Sequence, residues 1–498
     1  MNPELFKYLC LGAYVLATLW LSWIGMRKTQ SIRSFAIGNR DMNPYLIGIT
    51  MAASVASTAT FVINPGFVYV HGVSAFIHYA LAGGGGIIAA LFLLTRRFRA
   101  LGDAAGAITV PDWIYQRYQS RPLSIFFALI NLLSLAFVVL ILVGCSLLVA
   151  ELFPIGQRAA LILIAAFVFS YVLMGGTYAH AYTNTLQGVM MLVISLVIFI
   201  AGWHHFGDSP MQSLRQVGEG YAGWINPDSD LYFSFFSVFG SGFLITFALM
   251  LQPHILTKML YLKGDGDVNR FIGTTAVAII CFMLMLTVGF YARLSGLEVP
   301  QQDAVVASYI AAEFGSSTAG SYLLAFIGIT LLAAGMSTLD GILVALSAMV
   351  VRDIYQPLAG NRPFAEGRGL LLSRVVLISI GVIAVVIAYD PPPLVGIFAQ
   401  KGVYGLGAAS LVPLLFGITL HRAPPAWAVG SAAVIGLLVH VLLITLGGIT
   451  NPAVAAAYAI LCSLGYFLSV LLVRKLAGLA VLSKKQKTPI STGDEFST

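Results

Sequence analysis

Apolar residues in this chain come in blocks of about twenty or more, with polar positions gathered between them. That pattern predicts helices long enough to cross a bilayer, which takes about 20 apolar residues each, rather than half-buried strands or one-sided surface helices. Thirteen blocks stand out, at 5–26, 43–71, 74–96, 123–151, 157–175, 180–203, 233–257, 271–295, 320–350, 370–389, 394–418, 425–446 and 453–473. The segments between them are mostly short. The longest, 204–232, contains Asp208-Ser-Pro and Asn226-Pro-Asp and reads as a turn-rich external loop. The expected fold class is an all-α polytopic membrane protein with about 13 transmembrane helices.

Two blocks are interrupted. The second has a run of small and hydroxyl residues, Ala52-Ala-Ser-Val-Ala-Ser-Thr-Ala-Thr60, and then Asn64-Pro65-Gly66. The seventh carries Gly240-Ser241-Gly242 and later Gln252-Pro253. Each opens a set of five spans, and an odd count inverts the second set relative to the first. Paired breaks at corresponding places of two inverted halves point to a solute and ion site near the bilayer midplane, although Gly and Pro are also tolerated as simple kinks. The expected organisation is one transmembrane domain over 1–475, with core repeats at about 43–203 and 233–418, and a cytoplasmic tail at 476–498.

The ninth block holds Ile329-Thr-Leu-Leu-Ala-Ala-Gly-Met-Ser-Thr-Leu-Asp-Gly341. Hydroxyls and a carboxylate are costly in hydrocarbon. Ser337 and Thr338 stand three and four residues after Ala334, so on a helix they rise beside its carbonyl. The patch offers oxygen donors only, which suits an alkali or alkaline-earth ion rather than a transition metal. Taken alone, the same hydroxyls also suit bonds back to their own helix.

Composition agrees with the pattern. Of 498 residues, 59% are hydrophobic and 9% charged, and mean hydropathy is +0.90, against roughly 25% charged in a soluble domain. The net charge of +7 follows topology. With the N-terminus outside, 22 of the 27 basic residues fall in inside loops and 4 outside, leaving only Lys401 well within a span. This positive-inside bias puts the C-terminus in the cytoplasm of a multi-pass plasma or inner membrane protein and gives no reason to expect nucleic acid. Cys10, Cys145, Cys281 and Cys462 have no metal spacing and read as small core residues. His78, His180 and His254 are scattered and read as packing or loop histidines.

Several stretches together resemble the sodium:solute symporter family, whose members carry proline, pantothenate, glucose or monocarboxylates. They are Gly38-Asn39-Arg40, Ala53-Ser-Val-Ala-Ser57 with Pro65-Gly66, Thr109-Val-Pro-Asp-Trp113 with Arg117-Tyr118, Gly175-Gly-Thr through Asn184-Thr-Leu-Gln187, Gln252-Pro-His254, Ala334-Gly-Met-Ser-Thr338 and Arg352-Asp-Ile-Tyr355. The resemblance spans about residues 5–475. It implies the inverted five-plus-five leucine-transporter fold and a sodium site at the carbonyls of Ala53, Ala56 and Ala334 and the hydroxyls of Ser337 and Thr338. Sodium is then the coupling ion, with no other cofactor, and the partners are a small-molecule solute and the lipid bilayer.

The chain also departs from the resemblance. Asn184 stands where the family usually has Asp, while Asp340 lies one turn beyond Ser337 on the same face. The two residues are candidates for a second cation or coupling site, and Asp340 alone would also suit a pair with a basic residue. Ile245 and Leu249 replace aromatics of the proline carriers, and Val55 replaces their acidic residue, which argues against proline. Few Asn, Gln or Glu residues line the interrupted spans, which argues against a sugar. Lys401 either snorkels outward or meets a solute carboxylate. Ser57, Thr60, Asn64, Ser241, Lys401 and Tyr404 are the candidate solute residues. The resulting expectation is sodium-coupled uptake of a small organic solute, a monocarboxylate or pantothenate-like acid. A sodium/amino-acid symporter is the alternative. A transporter-like sensor is a further one, which the short polar stretch after Lys475 disfavours. No catalytic cluster or filter-like loop suggests an enzyme or a channel.

Overall fold

The computed structural model describes residues 2–38, 42–360, 368–392 and 394–486. Asn39 and Arg40 of the Gly38-Asn39-Arg40 stretch, and the basic residues Arg362 and Lys487, lie outside the described residues. The described residues are helical, with no strand among them.

Among the described residues, ten helices are long and apolar enough to cross a membrane, and two bent pairs pass the same test. In chain order these are α1 (Pro3–Lys28), α2 (Pro44–Val55 with Ala59–His71), α3 (Val73–Gly102), α4 (Arg121–Leu152) and a 50-residue stretch Gln157–Phe206. At 1.5 Å per residue that stretch would reach about 75 Å, more than twice the hydrocarbon thickness. It breaks at Gly176, whose φ of 50° and ψ of −134° are not helical. We number the two crossings α5 (157–175) and α6 (177–206). Then follow α7 (Phe236–Leu249 with Pro253–Tyr261), α8 (Asp265–Leu294), α9 (Thr318–Leu358), α10 (Arg368–Tyr389), α11 (Val395–Thr419), α12 (Ala426–Thr445) and α13 (Pro452–Gln486). With the long stretch divided at Gly176, the crossings among the described residues number thirteen, as the hydropathy pattern predicts. The last helix continues to Gln486, so the expected boundary at 475 cuts through a helix rather than marking its end.

The breaks have local causes. In α2 the helix stops at Val55, and Ala56 leaves it with φ −86° and ψ 75°; short hydroxyl side chains here offer the backbone bonds outside the ladder. Ser57 Oγ then accepts the Ala59 N–H at 3.1 Å and restarts the helix. In α7 Pro253 has no N–H and holds Gln252 extended, at φ −63° and ψ 144°. The halves bend by 55° in α2 and 66° in α7.

Packing relies on close approach. A Cβ on Gly335 of α9 would lie 2.2 Å from Cys145 Sγ and 2.5 Å from Thr58 Oγ1, so only glycine lets α9 touch α4 and the break in α2 together. Of the cysteines, only Cys145 is fully buried. Cys10 is half-buried and packs against the core, whereas Cys281 is half-buried and Cys462 exposed, so the last two do not fill the role expected of them. The long linker after α6 is helical rather than merely turn-rich, with Pro210–Val217 and Glu219–Ala222. It folds over the end of α2, where Tyr221 donates its hydroxyl to Val68 O at 3.1 Å.

At one end of the bundle, arginines close the last carbonyls of α11. Arg117 bonds Gly417 O (2.8 Å) and Leu420 O (2.5 Å), and Arg97 bonds Thr419 O (2.5 Å). Cations at a helix C-terminus are favoured by its dipole. Thr109 and Arg352-Asp353, far apart in sequence, meet at the same end through Thr109 Oγ1 and Asp353 Oδ2 at 2.6 Å.

Candidate functional site

The break in α2 creates free acceptors. The last rung of its first half runs from Ala56 N–H to Ala52 O at 2.8 Å, so the carbonyls of Ala53, Ser54 and Val55 lie past the end of the ladder. The hydroxyl face of α9 packs against them. Ser337 Oγ lies 2.8 Å from Ala53 O and 2.7 Å from Ala334 O. Thr338 Oγ1 donates to Ser54 O at 3.1 Å. The single Ser337 hydroxyl proton is shared between Ala334 O on its own helix and Ala53 O across on α2. Ala53, Ala56, Ala334 and Ser337 are fully buried and Thr338 is 1% exposed.

Asn184 of α6 fixes this junction. Its amide donates to Ser337 O at 2.7 Å and Ser54 Oγ at 2.9 Å, while its own Oδ1 is buried without a partner. Asp340 sits one turn further along α9 and does not touch Asn184. Its Oδ1 lies 2.7 Å from His180 Nδ1 and accepts the Gly341 N–H at 2.7 Å. Tyr171 and Thr183 point hydroxyls at its Oδ2 from 3.4 and 3.5 Å. His180 is thus the partner of a buried carboxylate rather than a packing histidine. Lys258, which hydropathy places in an inside loop, is fully buried and donates to His254 O at 2.8 Å.

Beside the junction, between the two broken helices, lies a cavity of about 100 Å³. Ser54, Ser57, Thr60 and Asn64 line it from α2, Thr246, Gln252 and His254 from α7, His78 and Tyr79 from α3, and Gln400 and Tyr404 from α11. Phe137, Leu140, Leu249 and Met283 supply an apolar wall. No Asp, Glu, Lys or Arg is among these lining residues. Gln252 Oε1 is buried there without a partner, and Tyr79 Oη lies 3.4 Å from Gln400 Nε2.

Four of the six expected solute residues, Ser57, Thr60, Asn64 and Tyr404, therefore share one cavity. Two do not. Ser241 is buried outside it and donates its hydroxyl to Ser237 O at 2.8 Å. Lys401 is exposed and absent from the lining; one residue past Gln400 on a helix is about 100° round, which turns it off the cavity face. Its carbonyl accepts from His440 Nε2 at 2.9 Å. Gln252, His254 and His78 line the cavity and were not expected there. The signal for two of them was the Gln-Pro-His run directly after a helix break.

Two helices broken at their middles, free carbonyls facing hydroxyls, and a cavity alongside define a secondary transporter that couples a small hard cation to a solute. Residues 35–438 match the sodium:solute symporter family. The chain belongs to that family and is a sodium-coupled solute symporter, not an enzyme. It is 27% identical over 449 residues to the sodium/pantothenate symporter of Escherichia coli (strain K12), with 88% of this chain and 90% of the relative covered. It is 26% identical to the osmoregulated proline transporter OpuE of Bacillus subtilis (strain 168), with 88% of each chain covered. Its fold matches the substrate-bound outward-open state of a Na+-coupled sialic acid symporter with a TM-score of 0.75 at 16% identity, over 92% of this chain and 96% of that one. The architecture is the inverted five-plus-five leucine-transporter fold. Sodium is the coupling ion.

Proposed function

We propose that this symporter carries a small organic acid, a monocarboxylate or pantothenate-like molecule, inward with sodium. The observation that carries this reading is the shared residue Ser54. Its carbonyl takes the Thr338 hydroxyl, its Oγ takes the Asn184 amide, and its side lines the cavity. Ion and solute would be neighbours on one piece of backbone. The sodium ligands would be the carbonyls of Ala53, Ala56 and Ala334 and the hydroxyls of Ser337 and Thr338, an oxygen-only set that fits a hard cation.

With Lys401 off the cavity, the carboxylate needs another partner. The second half of α2 starts at Ala59, and Ala59 and Thr60 both line the cavity. Ser57 Oγ already caps the Ala59 N–H there, but the helix start still offers the positive end of a dipole. The acid group would rest there and beside the sodium, and Phe137, Leu140, Leu249 and Met283 would hold the apolar body. Pantothenate and proline, the solutes in the names of the two relatives, both carry a carboxylate. Val55 and Leu249, at positions where the proline carriers differ, line the cavity, which favours the acid over proline.

The proposed topology has the N-terminus outside, the arginine-rich end of the bundle in the cytoplasm, and two core repeats at about 43–203 and 233–418. Sodium binding would hold the outward-facing state until solute joins it. One sodium with a monoanion is electroneutral, so the chemical sodium gradient alone would drive accumulation; a second sodium would add one net charge, worth about 2.3 kcal/mol per 100 mV, near fifty-fold. Uptake into proteoliposomes under an imposed sodium gradient, screened over labelled acetate, pyruvate, lactate, pantothenate and amino acids, tests the reading. Sodium-driven uptake of an acid, competed by acids and at least about tenfold less by their amides, is the expected result. Equal competition by amides would overturn it.

A further inference from the structure

A second set of chemistry-bearing residues lies far from the cavity. At the end of α6 the chain makes a short turn, Trp203–Phe206, that presents His204 and His205 side by side with ring centroids 4.0 Å apart. Opposite them stands Glu313, in the last turn of the helix Val305–Phe314, which runs just ahead of α9. His205 Nε2 is 3.1 Å from Glu313 Oε2, and His204 Nε2 is 3.8 Å from Glu313 Oε1. One ligand atom from each residue can be chosen so that all three lie within 4.8 Å of one another.

We propose that His204, His205 and Glu313 form a binding site for a divalent transition ion of the zinc class, bridging the end of α6 to the helix before α9. The spacing fits the chemistry. Ligand atoms about 2.0–2.2 Å from zinc at tetrahedral angles stand roughly 3.3 Å apart; each imidazole Nε2 already lies 3.1 or 3.8 Å from a Glu313 oxygen, so small side-chain rotations would bring one atom of each residue to that spacing. The tautomer fits as well. His204 Nδ1 lies 2.8 Å from Ala201 O; donating there leaves its Nε2 lone pair facing Glu313, the outer hydrogen bond that metal-bound histidines usually make. Two imidazoles select zinc, nickel or copper over magnesium and calcium. Two histidines and a glutamate leave a fourth position open to water.

Access is not obstructed. The His204 side chain is 61% exposed, while His205 and Glu313 are 13% and 21% exposed, so two ligands are held by packing and the third faces solvent. A hollow of about 500 Å³ adjoins Glu313, and the Tyr309 hydroxyl in its wall is buried without a partner. The bond between His205 and Glu313 gives a bland alternative, a contact that ties the two helices with no ion.

Isothermal titration of ZnCl2 into the full chain in detergent, with any affinity tag removed, separates the two. The expected result is one zinc per chain, undisturbed by a hundredfold excess of Mg2+. His204→Ala, His205→Ala and Glu313→Gln should each weaken binding at least about tenfold, the lower end of what disturbed metal sites lose. Cobalt should give visible absorption in the wild type that His205→Ala abolishes. Zinc should raise the thermal unfolding midpoint of the wild type, because it cross-links two helices, and should not raise that of His204→Ala. Binding of equal strength in wild type and all three variants, or no binding by the folded wild type, would overturn the proposal.

Discussion

Ser337→Ala is the sharpest probe of the ion site. The hydroxyl lies 2.8 Å from Ala53 O and 2.7 Å from Ala334 O, so the change removes one oxygen from the proposed five-ligand set and adds nothing. The residue is fully buried, so bulk solvent does not reach the place of the lost group. Interactions with charged partners are worth about 1.5–3 kcal/mol each. At about 1.4 kcal/mol per factor of ten, the sodium half-saturation should rise roughly ten- to a hundredfold. The fold should bear the change. Ala334 O remains inside a helix, and the one carbonyl left short of a donor, Ala53 O, costs on the order of 1–3 kcal/mol. The assay is a sodium titration of solute uptake in proteoliposomes, paired with direct binding of radioactive sodium and a thermal melt. Ser337→Ala that melts near the wild type and keeps the wild-type sodium half-saturation would refute the assignment. Thr338→Ala should act in the same direction.

Asp340→Asn replaces a buried carboxylate that lies 2.7 Å from His180 Nδ1; losing a hydrogen bond to a charged group costs about 1.5–3 kcal/mol, so the thermal midpoint should fall, and a double-mutant cycle with His180→Gln should show coupling of at least about 0.5 kcal/mol. If Asp340 also serves the cation, Asp340→Asn should shift the sodium titration and Asn184→Asp added to it should recover part of the shift, whereas a double mutant no better than the single one would rule out exchange of the carboxylate. Gly176→Ala puts a Cβ 2.8 Å from Phe35 O at a φ of +50°, a strain of order 1–3 kcal/mol or more, and should cut the yield of folded protein measured by size-exclusion fluorescence. Lys401→Gln should leave solute affinity and the preference for acids unchanged, since the side chain faces away from the cavity; lost transport in a folded variant would put Lys401 back in the site.

Hydropathy was enough for the crossings and for both breaks, because a membrane demands long apolar runs and Pro253 or a hydroxyl cluster interrupts a helix through chemistry written in the residues themselves. The Ala334, Ser337 and Thr338 face was legible for the same reason, since helical spacing puts those oxygens together whatever packs opposite. What periodicity does not reveal is the neighbour. His180 meets Asp340 only because α6 and α9 pack with those turns in register, and nothing local to either residue marks that. Lys258 falls just past the end of an apolar run and so reads as a loop residue, yet the 66° bend after Leu249 carries Pro253–Tyr261 back into the protein. Lys401 fails in the opposite way. A lone cation inside an apolar block reads as functional, but one step along a helix turns it from Gln400's face toward the surroundings.

The main-chain character of the proposed ion ligands on α2 bears on how such a protein can diverge. A carbonyl belongs to every amino acid, so exchanging Ala53 or Ala56 for another small residue would leave the ligand atoms in place. Drift at those positions is limited by volume instead; a Cβ on Gly188 would already lie 3.3 Å from Ala53 Cβ. Selection for ion use would then act on the interruption at Ala56 to Thr58 rather than on individual side chains. The cavity is built the other way, from side chains that single substitutions can exchange. Descendants could therefore change cargo while inheriting the same energy source.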